Sequence, residues 1–426
     1  MADRILVIGS GAREHALAWR LAACPSVSHV MCAPGNPGMA QLGAHYPVNV
    51  DDPDAIADLA VRVRADLVVV GPEAPLVAGA VDQLQARGVA AFGPSAAAAQ
   101  LEGSKAFAKQ IMQRAGAPTG GYVATGDVGE AYTALEQFAA PYVVKADGLA
   151  GGKGVRICDT LADAHNAVDD ALIKDRFGSA GATVVIEEFL AGPERSVFAI
   201  CDGTDAVVLQ PAQDYKRAFD GDEGPNTGGM GAYSPVPGFG LAVARDLADT
   251  MFRPVLATMA DRGTPFRGLL YAGLVDTDSG PKLLEFNARF GDPETQVILP
   301  LIEGDFAGLL RASATGSVRD AAVGWSDAAA VTVVLAADGY PDRYGTGAAI
   351  SGVDAAASLR GVTVFHAGTR LDGDTLVTAG GRVMSVTATA PDVAAARRIA
   401  YAAADEISWD GLHRREDIAA YLAGSA

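Results

Sequence analysis

Three polar side chains alternate along one short stretch and could together bind a metal ion and an anion. The stretch reads Lys282-Leu-Leu-Glu285-Phe-Asn287-Ala-Arg289-Phe-Gly-Asp292-Pro-Glu294. On a strand, Glu285, Asn287 and Arg289 would share one face, with Leu284 and Phe286 opposite. Carboxylate and amide oxygens suit Mg²⁺, and a guanidinium suits a carboxylate or phosphate. An exposed polar strand face is the alternative interpretation.

A glycine-rich turn near the start of the chain has the pattern of an anion site. Gly9-Ser-Gly11-Ala-Arg13-Glu14 follows a predicted strand and begins a helix, where amide groups and the helix dipole favour a phosphate. Glu14 stands where the dinucleotide fingerprint needs its third glycine, which disfavours a nicotinamide cofactor. A tight turn without a ligand is the alternative.

A second glycine-rich segment combines backbone access with positive charge. It is Lys145-Ala-Asp-Gly148-Leu-Ala-Gly151-Gly152-Lys153-Gly154, between two predicted strands. Such a hairpin lets main-chain amides and lysines approach phosphates, although the order of residues is not that of a P-loop. A flexible solvated hairpin is the weaker interpretation, because the segment holds four glycines and two lysines in an acidic chain.

Two further polar segments are less specific. Gln213–Arg217 and Gly224–Tyr233 are predicted to lie in one long irregular loop, which is often functional in a compact domain but is also typical of a disordered surface. Glu187 and Glu188 end a predicted strand and Glu194 follows. Their carboxylates could accept hydrogen bonds from an adenine amine or a ribose, or could simply be solvated.

The elements around these segments alternate between strands and helices, which predicts the α/β class. Apolar runs predict four strands in the first hundred residues and a parallel sheet covered on both faces, with ligands at the carboxyl ends of its strands. Further helices are predicted at Ser104–Arg114, Leu161–Leu172, Leu241–Arg262, Val393–Glu406 and Arg415–Leu422, and a strand pair at Gly268–Asp276 and Lys282–Phe286.

Composition narrows the class of protein. The 426 residues carry 33 basic and 51 acidic side chains, a net charge of −18, which argues against nucleic-acid binding and fits a soluble surface. The four cysteines form no CxxC pair, and no zinc-binding pattern occurs. The N-terminal apolar run is too short for a signal peptide, and no stretch approaches the ~20 apolar residues of a membrane span. We expect a cytoplasmic protein that binds no membrane.

Taken together, the segments resemble the ATP-grasp enzymes, and among them the glycinamide ribonucleotide synthetase family. The motifs occur in the family's order: GSGAREHALAW (Gly9–Trp19), APGNPG (Ala33–Gly38), VGPEAPLVAG (Val70–Gly79), LEGSKAF (Leu101–Phe107), KADGLAGGKGV (Lys145–Val155), IEEFL (Ile186–Leu190), GPNTGGMGAYSP (Gly224–Pro235) and EFNARFGDPETQ (Glu285–Gln296). Ala288 and Gly151 depart from the residues common there, cysteine and alanine, and neither departure removes a proposed ligand.

The resemblance implies an ATP-grasp fold in four parts. These are an N-terminal Rossmann-like parallel-sheet domain (1–103), a central body (104–121 and 192–327), a lid (122–191) and a C-terminal mixed α/β domain (328–426). It implies ATP-dependent ligation of glycine to 5-phosphoribosylamine through glycyl phosphate, in purine biosynthesis. We expect a monomer.

The resemblance also implies roles for individual residues. The expected ATP-binding residues are Lys105, Lys145, Gly151, Gly152, Lys153, Glu187, Glu188 and Glu194, and the expected ligands of Mg²⁺ or Mn²⁺ are Glu285 and Asn287. The expected substrate-binding residues are Gly9, Gly11, Arg13, Glu14, Pro72, Glu73, Asp214, Lys216, Asn226 and Arg289. Lys153, Asp214 and Arg289 are expected to be catalytic.

Three other functions stay open from the sequence. An ATP-grasp ligase for a different carboxylate and amine would differ in the substrates that support phosphate release. A dinucleotide-dependent oxidoreductase would bind NAD. A non-catalytic regulator would bind ATP without forming ADP in a glycine-dependent way.

Overall fold

The computed structural model describes residues 3–149, 154–319, 321 and 323–423. Its first part is a five-stranded parallel sheet in the order β3-β2-β1-β4-β5. The elements are β1 (Asp3–Gly9), α1 (Ala12–Ala22), β2 (Val27–Pro34), β3 (Ala44–His45), α2 (Pro53–Arg62), β4 (Leu67–Val70), α3 (Glu73–Val77), α4 (Ala80–Ala86), β5 (Ala90–Phe92) and α5 (Ala96–Gly103). Ile5–Ile8 are fully buried, as expected for a central parallel strand covered on both faces. The predicted α/β class is confirmed.

Helix α6 (Lys105–Ala115) leads to a small antiparallel sheet in the order β6-β9-β7-β8. The elements of this part are β6 (Tyr122–Thr125), α7 (Val128–Leu135), β7 (Tyr142–Ala146), β8 (Val155–Cys158), α8 (Leu161–Leu172) and β9 (Val184–Glu187). Helices α7 and α8 pack on the sheet around a hydrophobic cluster of its own. The predicted ligands Gly151, Gly152 and Lys153 lie outside the described residues.

Within the described residues, the rest of the chain forms a four-stranded and a six-stranded antiparallel sheet with helices against them, and three two-stranded sheets. Its elements are β10 (Glu194–Asp202), β11 (Ala206–Val208), β12 (Gln213–Asp214), β13 (Arg217–Phe219), β14 (Glu223–Asn226), β15 (Gly231–Ser234), α9 (Leu241–Asp261), β16 (Arg267–Thr277), β17 (Gly280–Asn287), α10 (Glu294–Ile298), β18 (Ile302–Glu303), α11 (Phe306–Thr315), β19 (Gly324–Trp325), β20 (Ala329–Ala337), α12 (Val353–Ser358), β21 (Val362–His366), β22 (Thr369–Asp372), β23 (Thr375–Thr378), β24 (Arg382–Ala390), α13 (Val393–Glu406), β25 (Leu412–His413) and α14 (Ala420–Ala423).

One of these sheets has the order β11-β10-β16-β17, and its strand β17 carries Glu285 and Asn287. The pairing of β16 with β17 changes register between Gly273–Glu285 and Leu274–Leu283, so Leu284 is an extra, bulged residue. Leu283 and Phe286 therefore share the buried face. The expectation that Leu284 would lie with Phe286 is wrong, because a bulge interrupts strict alternation.

The six-stranded sheet crosses the predicted body–C-terminal boundary. Its order is β12-β15-β20-β24-β21, with β25 also paired to β20. The predicted irregular loop at 213–233 is therefore wrong in part: it contributes β12 and β15 to this sheet and forms a β13–β14 hairpin. These short strands hold polar residues and glycines, so they lack the apolar signal of a strand.

The predicted helix Arg415–Leu422 is also wrong, since only Ala420–Ala423 is helical. The Arg415 side chain is buried, pairs with Asp222 and Asp417 at 2.8 and 2.7 Å, and lies over the ring of Tyr215. These distant partners hold the segment in an irregular conformation. Among the described residues, the helices are all too short or too polar to cross a membrane.

Candidate active site

A buried group of three charged side chains joins α6 to the small sheet. The Lys109 Nζ lies 2.9 Å from Glu187 Oε2, and the Lys145 Nζ lies 3.1 Å from Glu187 Oε1. Each of the three side chains is at most 4% exposed. Lys145 and Glu187 were predicted as ligands; Lys109 was not, although it follows Lys105 by four residues and so shares its helix face.

Lys105 lies at the first turn of α6, facing the start of the glycine-rich hairpin. Its ammonium donates to the Gly148 carbonyl at 3.1 Å, and the Asp147 carboxylate accepts from the Ala106 amide at 2.7 Å. Burial lowers the pKa of Lys105, while the Glu285 carboxylate opposes that change. The predicted ligand Glu188 directly follows Glu187, and its Oε1 lies 3.7 Å from Lys282 Nζ.

Glu285 is surrounded by positive charge without a direct partner. Its carboxylate makes no hydrogen bond or ion pair with any described residue. Burial raises the pKa of Glu285, but four nearby cations lower that pKa by more. These are Lys216, Lys145, Lys105 and Arg289. Its carboxylate oxygens are therefore available, and the Asn287 Oδ1 accepts a hydrogen bond from Arg289 Nη2 at 3.3 Å. This donor set fits a hard cation that takes its other ligands from water and phosphates.

Arg289 connects this strand to the N-terminal sheet. Its guanidinium lies 3.2 Å from Glu73 Oε2 and 3.0 Å from Glu102 Oε1, and Arg13 lies 3.8 Å from the same Glu73 oxygen. Burial would raise the pKa of Glu73, but Arg289 and Arg13 outweigh it and bring that pKa to about 2. For Glu102, burial prevails and raises the pKa. Pro72 immediately precedes Glu73, the first residue of α3.

Glu14 fills the glycine-rich turn after β1. The Gly11 amide donates to Glu14 Oε2 at 2.7 Å, and Arg13 Nε lies 2.5 Å from Glu14 Oε1. A Cβ on Gly9 would lie 2.6 Å from the Glu14 side chain, and one on Gly71 only 2.2 Å from it. The Glu14 side chain thus occupies the space above the turn that the third glycine of a dinucleotide fingerprint would leave open.

Gly71→Ala is expected to destabilise the protein by about 1–3 kcal/mol, because the new methyl group would displace the buried Glu14 carboxylate. Thermal and urea unfolding would measure this loss. Gly345→Ala is the matched control, since a Cβ there meets nothing within 4 Å. Equal stability of the two variants would contradict this account of the turn.

A second cluster of carboxylates includes Asp214 on β12. Burial raises the pKa of Asp214 to about 7, with Lys216 opposing and Glu294 and Glu194 adding to the rise. The Lys216 ammonium pairs with Glu194. The three predicted site residues Asp214, Lys216 and Glu194 therefore lie close together. The buried Glu294 accepts a hydrogen bond from the Tyr271 hydroxyl at 2.7 Å, and neither residue was predicted.

Arg382 on β24 reaches this region from the C-terminal part of the chain. Its Nη2 lies 3.0 Å from Asp292 Oδ2, and its Nη1 donates to the carbonyls of Gly228 and Asp292 at 2.6 Å each. Asn226 is exposed and lines a pocket of about 570 Å³ together with Gly228, Tyr340 and Tyr344.

Sequence comparisons identify the family to which this arrangement belongs. The phosphoribosylglycinamide synthetase N domain matches residues 3–102, its ATP-grasp (A) domain residues 103–295, and its C domain residues 330–421. The chain belongs to the phosphoribosylglycinamide synthetase family. Curated relatives named phosphoribosylamine–glycine ligase include that of Streptomyces coelicolor, 52% identical over 99% of this chain and 100% of the relative. Another, from Phenylobacterium zucineum, is 49% identical over 97% and 98%.

Solved structures agree with this family assignment. The crystal structure of phosphoribosylamine–glycine ligase from Thermotoga maritima has a TM-score of 0.84, with 34% identity over 97% of this chain and 100% of that chain. A biotin carboxylase complex from Campylobacter jejuni has a TM-score of 0.72 at 16% identity, over 97% and 93% of the chains, and shares the fold alone. The ATP-grasp resemblance inferred from the synthetase motifs is confirmed.

Proposed function

We propose that this chain ligates glycine to 5-phosphoribosylamine with ATP, forming N1-(5-phosphoribosyl)glycinamide, ADP and phosphate in purine biosynthesis, and that glycyl phosphate is the intermediate. The observation that carries the proposal is the full-length similarity to phosphoribosylamine–glycine ligases, with all three family domains in order. The cluster of cations around Glu285 supports it, since phosphoryl transfer needs charge neutralisation more than a nucleophilic side chain.

In the first step a glycine carboxylate oxygen attacks the γ-phosphorus of ATP, and ADP leaves. Lys105 and Lys145 are proposed to contact the phosphates, together with Gly151, Gly152 and Lys153 of the hairpin. Glu188 and the strand of Glu187 are proposed to face adenine, and Glu194 the ribose. Glu285 and Asn287 would hold Mg²⁺ or Mn²⁺, which would neutralise charge on the phosphates. The residues near the transferring group position it and compensate its charge.

In the second step the amine of phosphoribosylamine attacks the acyl carbon and the C–N bond forms. The acyl C–O bond breaks, phosphate leaves, and the amine nitrogen gives up one proton. Gly9, Gly11, Arg13, Glu14, Pro72 and Glu73 are proposed to bind the phosphoribosyl group, with Asn226 a further contact. Asp214, Lys216 and Arg289 are proposed to bind glycine. Because Arg289 bridges the strand of Glu285 and the N-terminal Glu73, it could bring the two reactants together.

The organisation of the chain is proposed as well. We infer the four parts 1–103, 104–121 with 192–327, 122–191 and 328–426, with residues 122–191 closing over ATP to exclude water from the acyl phosphate. The net charge of −18 supports a protein that binds no nucleic acid. We propose a cytoplasmic monomer.

The deciding experiment measures ADP release with each substrate omitted in turn. We expect release to require both glycine and phosphoribosylamine, the latter supplied fresh from ribose 5-phosphate and ammonia. ADP release with another carboxylate in place of glycine would indicate a different ligase. ATP binding with no substrate-dependent ADP would indicate a regulator.

Asp214 gives the proposal a pH dependence. Its raised pKa, about 7, means that the carboxylate loses its charge as the pH falls through 7. If the charged form holds the glycine ammonium, kcat/KM for glycine should fall about tenfold per pH unit below 7 and level off above it. Asp214→Asn should have low, pH-independent kcat/KM in this range. An unchanged profile in the variant would show that another group titrates.

A further inference from the structure

Lys109 ties the lid to the strand that carries the metal ligands, although no motif in the sequence marked it. Its ammonium lies 2.9 Å from Glu187 Oε2 on β9 and donates to the Thr119 hydroxyl, also at 2.9 Å. That hydroxyl in turn donates to the Leu283 carbonyl on β17 at 2.7 Å. A continuous chain of polar contacts therefore runs from β9 to a point two residues before Glu285.

The charges of this group do not cancel. The Glu187 carboxylate meets two ammonium groups, Lys109 at Oε2 and Lys145 at Oε1, and all three side chains are almost fully buried. With both lysines charged, the group carries one excess positive charge, and its Lys145 is among the cations that lower the pKa of Glu285. Without Lys109, Lys145 would be the only described residue that forms an ion pair with the buried carboxylate, and the excess charge of this group would disappear.

We propose that Lys109 is a positioning residue of the nucleotide site: by sharing the Glu187 carboxylate, it leaves the Lys145 ammonium free to face the phosphates. This inference rests on the proposed function, which assigns Lys145 to ATP. The Thr119 contact holds the Lys109 ammonium in place, so that Lys109 acts through Lys145 and never touches the nucleotide itself.

The first test compares Lys109→Met with Lys174→Met in the full-length protein. Lys174 also pairs with a carboxylate, Asp170 at 2.8 Å, but its side chain is 60% exposed. For Lys109→Met we expect about a tenfold rise in the KM for ATP and about a 100-fold fall in kcat. The affinity for ADP should weaken by about the same factor as the KM for ATP rises. Lys174→Met should stay within about twofold of the parent. Lys109→Met behaving like Lys174→Met would overturn the proposal.

The second test separates positioning from general structural damage. In a Lys145→Met background, adding Lys109→Met should change ADP affinity by less than about twofold, because the group through which Lys109 acts is gone. Effects that simply multiply would overturn the proposal. Lys109→Arg, which keeps the charge, should recover most of the ATP affinity.

Two further measurements use the Thr119→Val variant and the parent protein. Should Lys109→Met fail to fold, Thr119→Val removes the hydroxyl that anchors the Lys109 ammonium, together with the hydrogen bond from that hydroxyl to the Leu283 carbonyl. A KM for ATP unchanged in that variant would overturn the proposal. A raised KM with an unchanged melting temperature would support it. The parent protein separates the proposed function from the positioning role of Lys109. If the parent forms no glycine-dependent ADP, the proposed function fails. If the parent is active and the Lys109 variants match it, only the positioning role is refuted.

Discussion

Replacing Glu285 with glutamine is expected to lower kcat about 10³-fold while leaving the fold intact. The carboxylate makes no hydrogen bond or ion pair with any described residue, so the substitution removes a charge and breaks no contact there. Burial raises its pKa, but four nearby cations lower it by more, so the surroundings favour the charged form of Glu285. Steady-state ADP release and the melting temperature together would check both halves of the expectation.

Glu303→Gln is the matched control for this prediction. Glu303 is an exposed residue of β18, outside the proposed site, and the same substitution there should leave turnover within about twofold of the parent. We also expect that raising the Mg²⁺ or Mn²⁺ concentration will partly restore Glu285→Gln, because the amide keeps one oxygen donor. Full activity of Glu285→Gln at low metal concentration would rule out its assignment as a metal ligand.

Replacing Arg382 with alanine is expected to reduce both stability and substrate use. The guanidinium pairs with Asp292 and donates to the carbonyls of Gly228 and Asp292, so its loss removes the donor of two carbonyls and the ion-pair partner of a partly buried carboxylate. We expect a loss of about 3 kcal/mol in the free energy of unfolding. We also expect about a 100-fold fall in kcat/KM for phosphoribosylamine, since Asp292 Oδ2 lies 3.6 Å from where a Cβ on Gly11 would be.

Arg370→Ala controls for removing an arginine from the same part of the chain. Arg370 on β22 is half exposed and lies 3.7 Å from Asp372, an ion pair that should contribute little. Urea unfolding and steady-state kinetics would compare the two variants. If Arg382→Ala lost stability but kept its kcat/KM, the arginine would be structural and would not position the site.

Much of the fold was predictable because its signals are local. The buried strand Leu67–Val70 is wholly apolar, and the glycine turn at Gly9–Glu14 follows directly from a similar run. The motifs around Lys145 and Glu285 were recognisable for the same reason, since each is contiguous. Helix α5 was missed because its alanines carry little periodicity, although Ser95, whose hydroxyl caps it, offered a signal.

The remaining features depend on contacts between distant residues. Arg382 follows Asp292 by 90 residues, and Arg415 pairs with Asp222, which lies almost 200 residues earlier in the turn between β13 and β14. No local pattern distinguishes such arginines from exposed ones. Lys109 is an intermediate case: its spacing from Lys105 was visible, but its burial against Glu187 was not.

The sheet formed by β12, β15, β20, β24 and β21 bears on how this protein can be divided. Because β15 pairs along Ala330–Val333, a fragment beginning at residue 328 would carry β20 with an open hydrogen-bonding edge. Such a fragment should aggregate or recruit a foreign strand instead of folding alone. The C-terminal region is thus no detachable module, and chimeras with other relatives should exchange the segment 213–234 together with it.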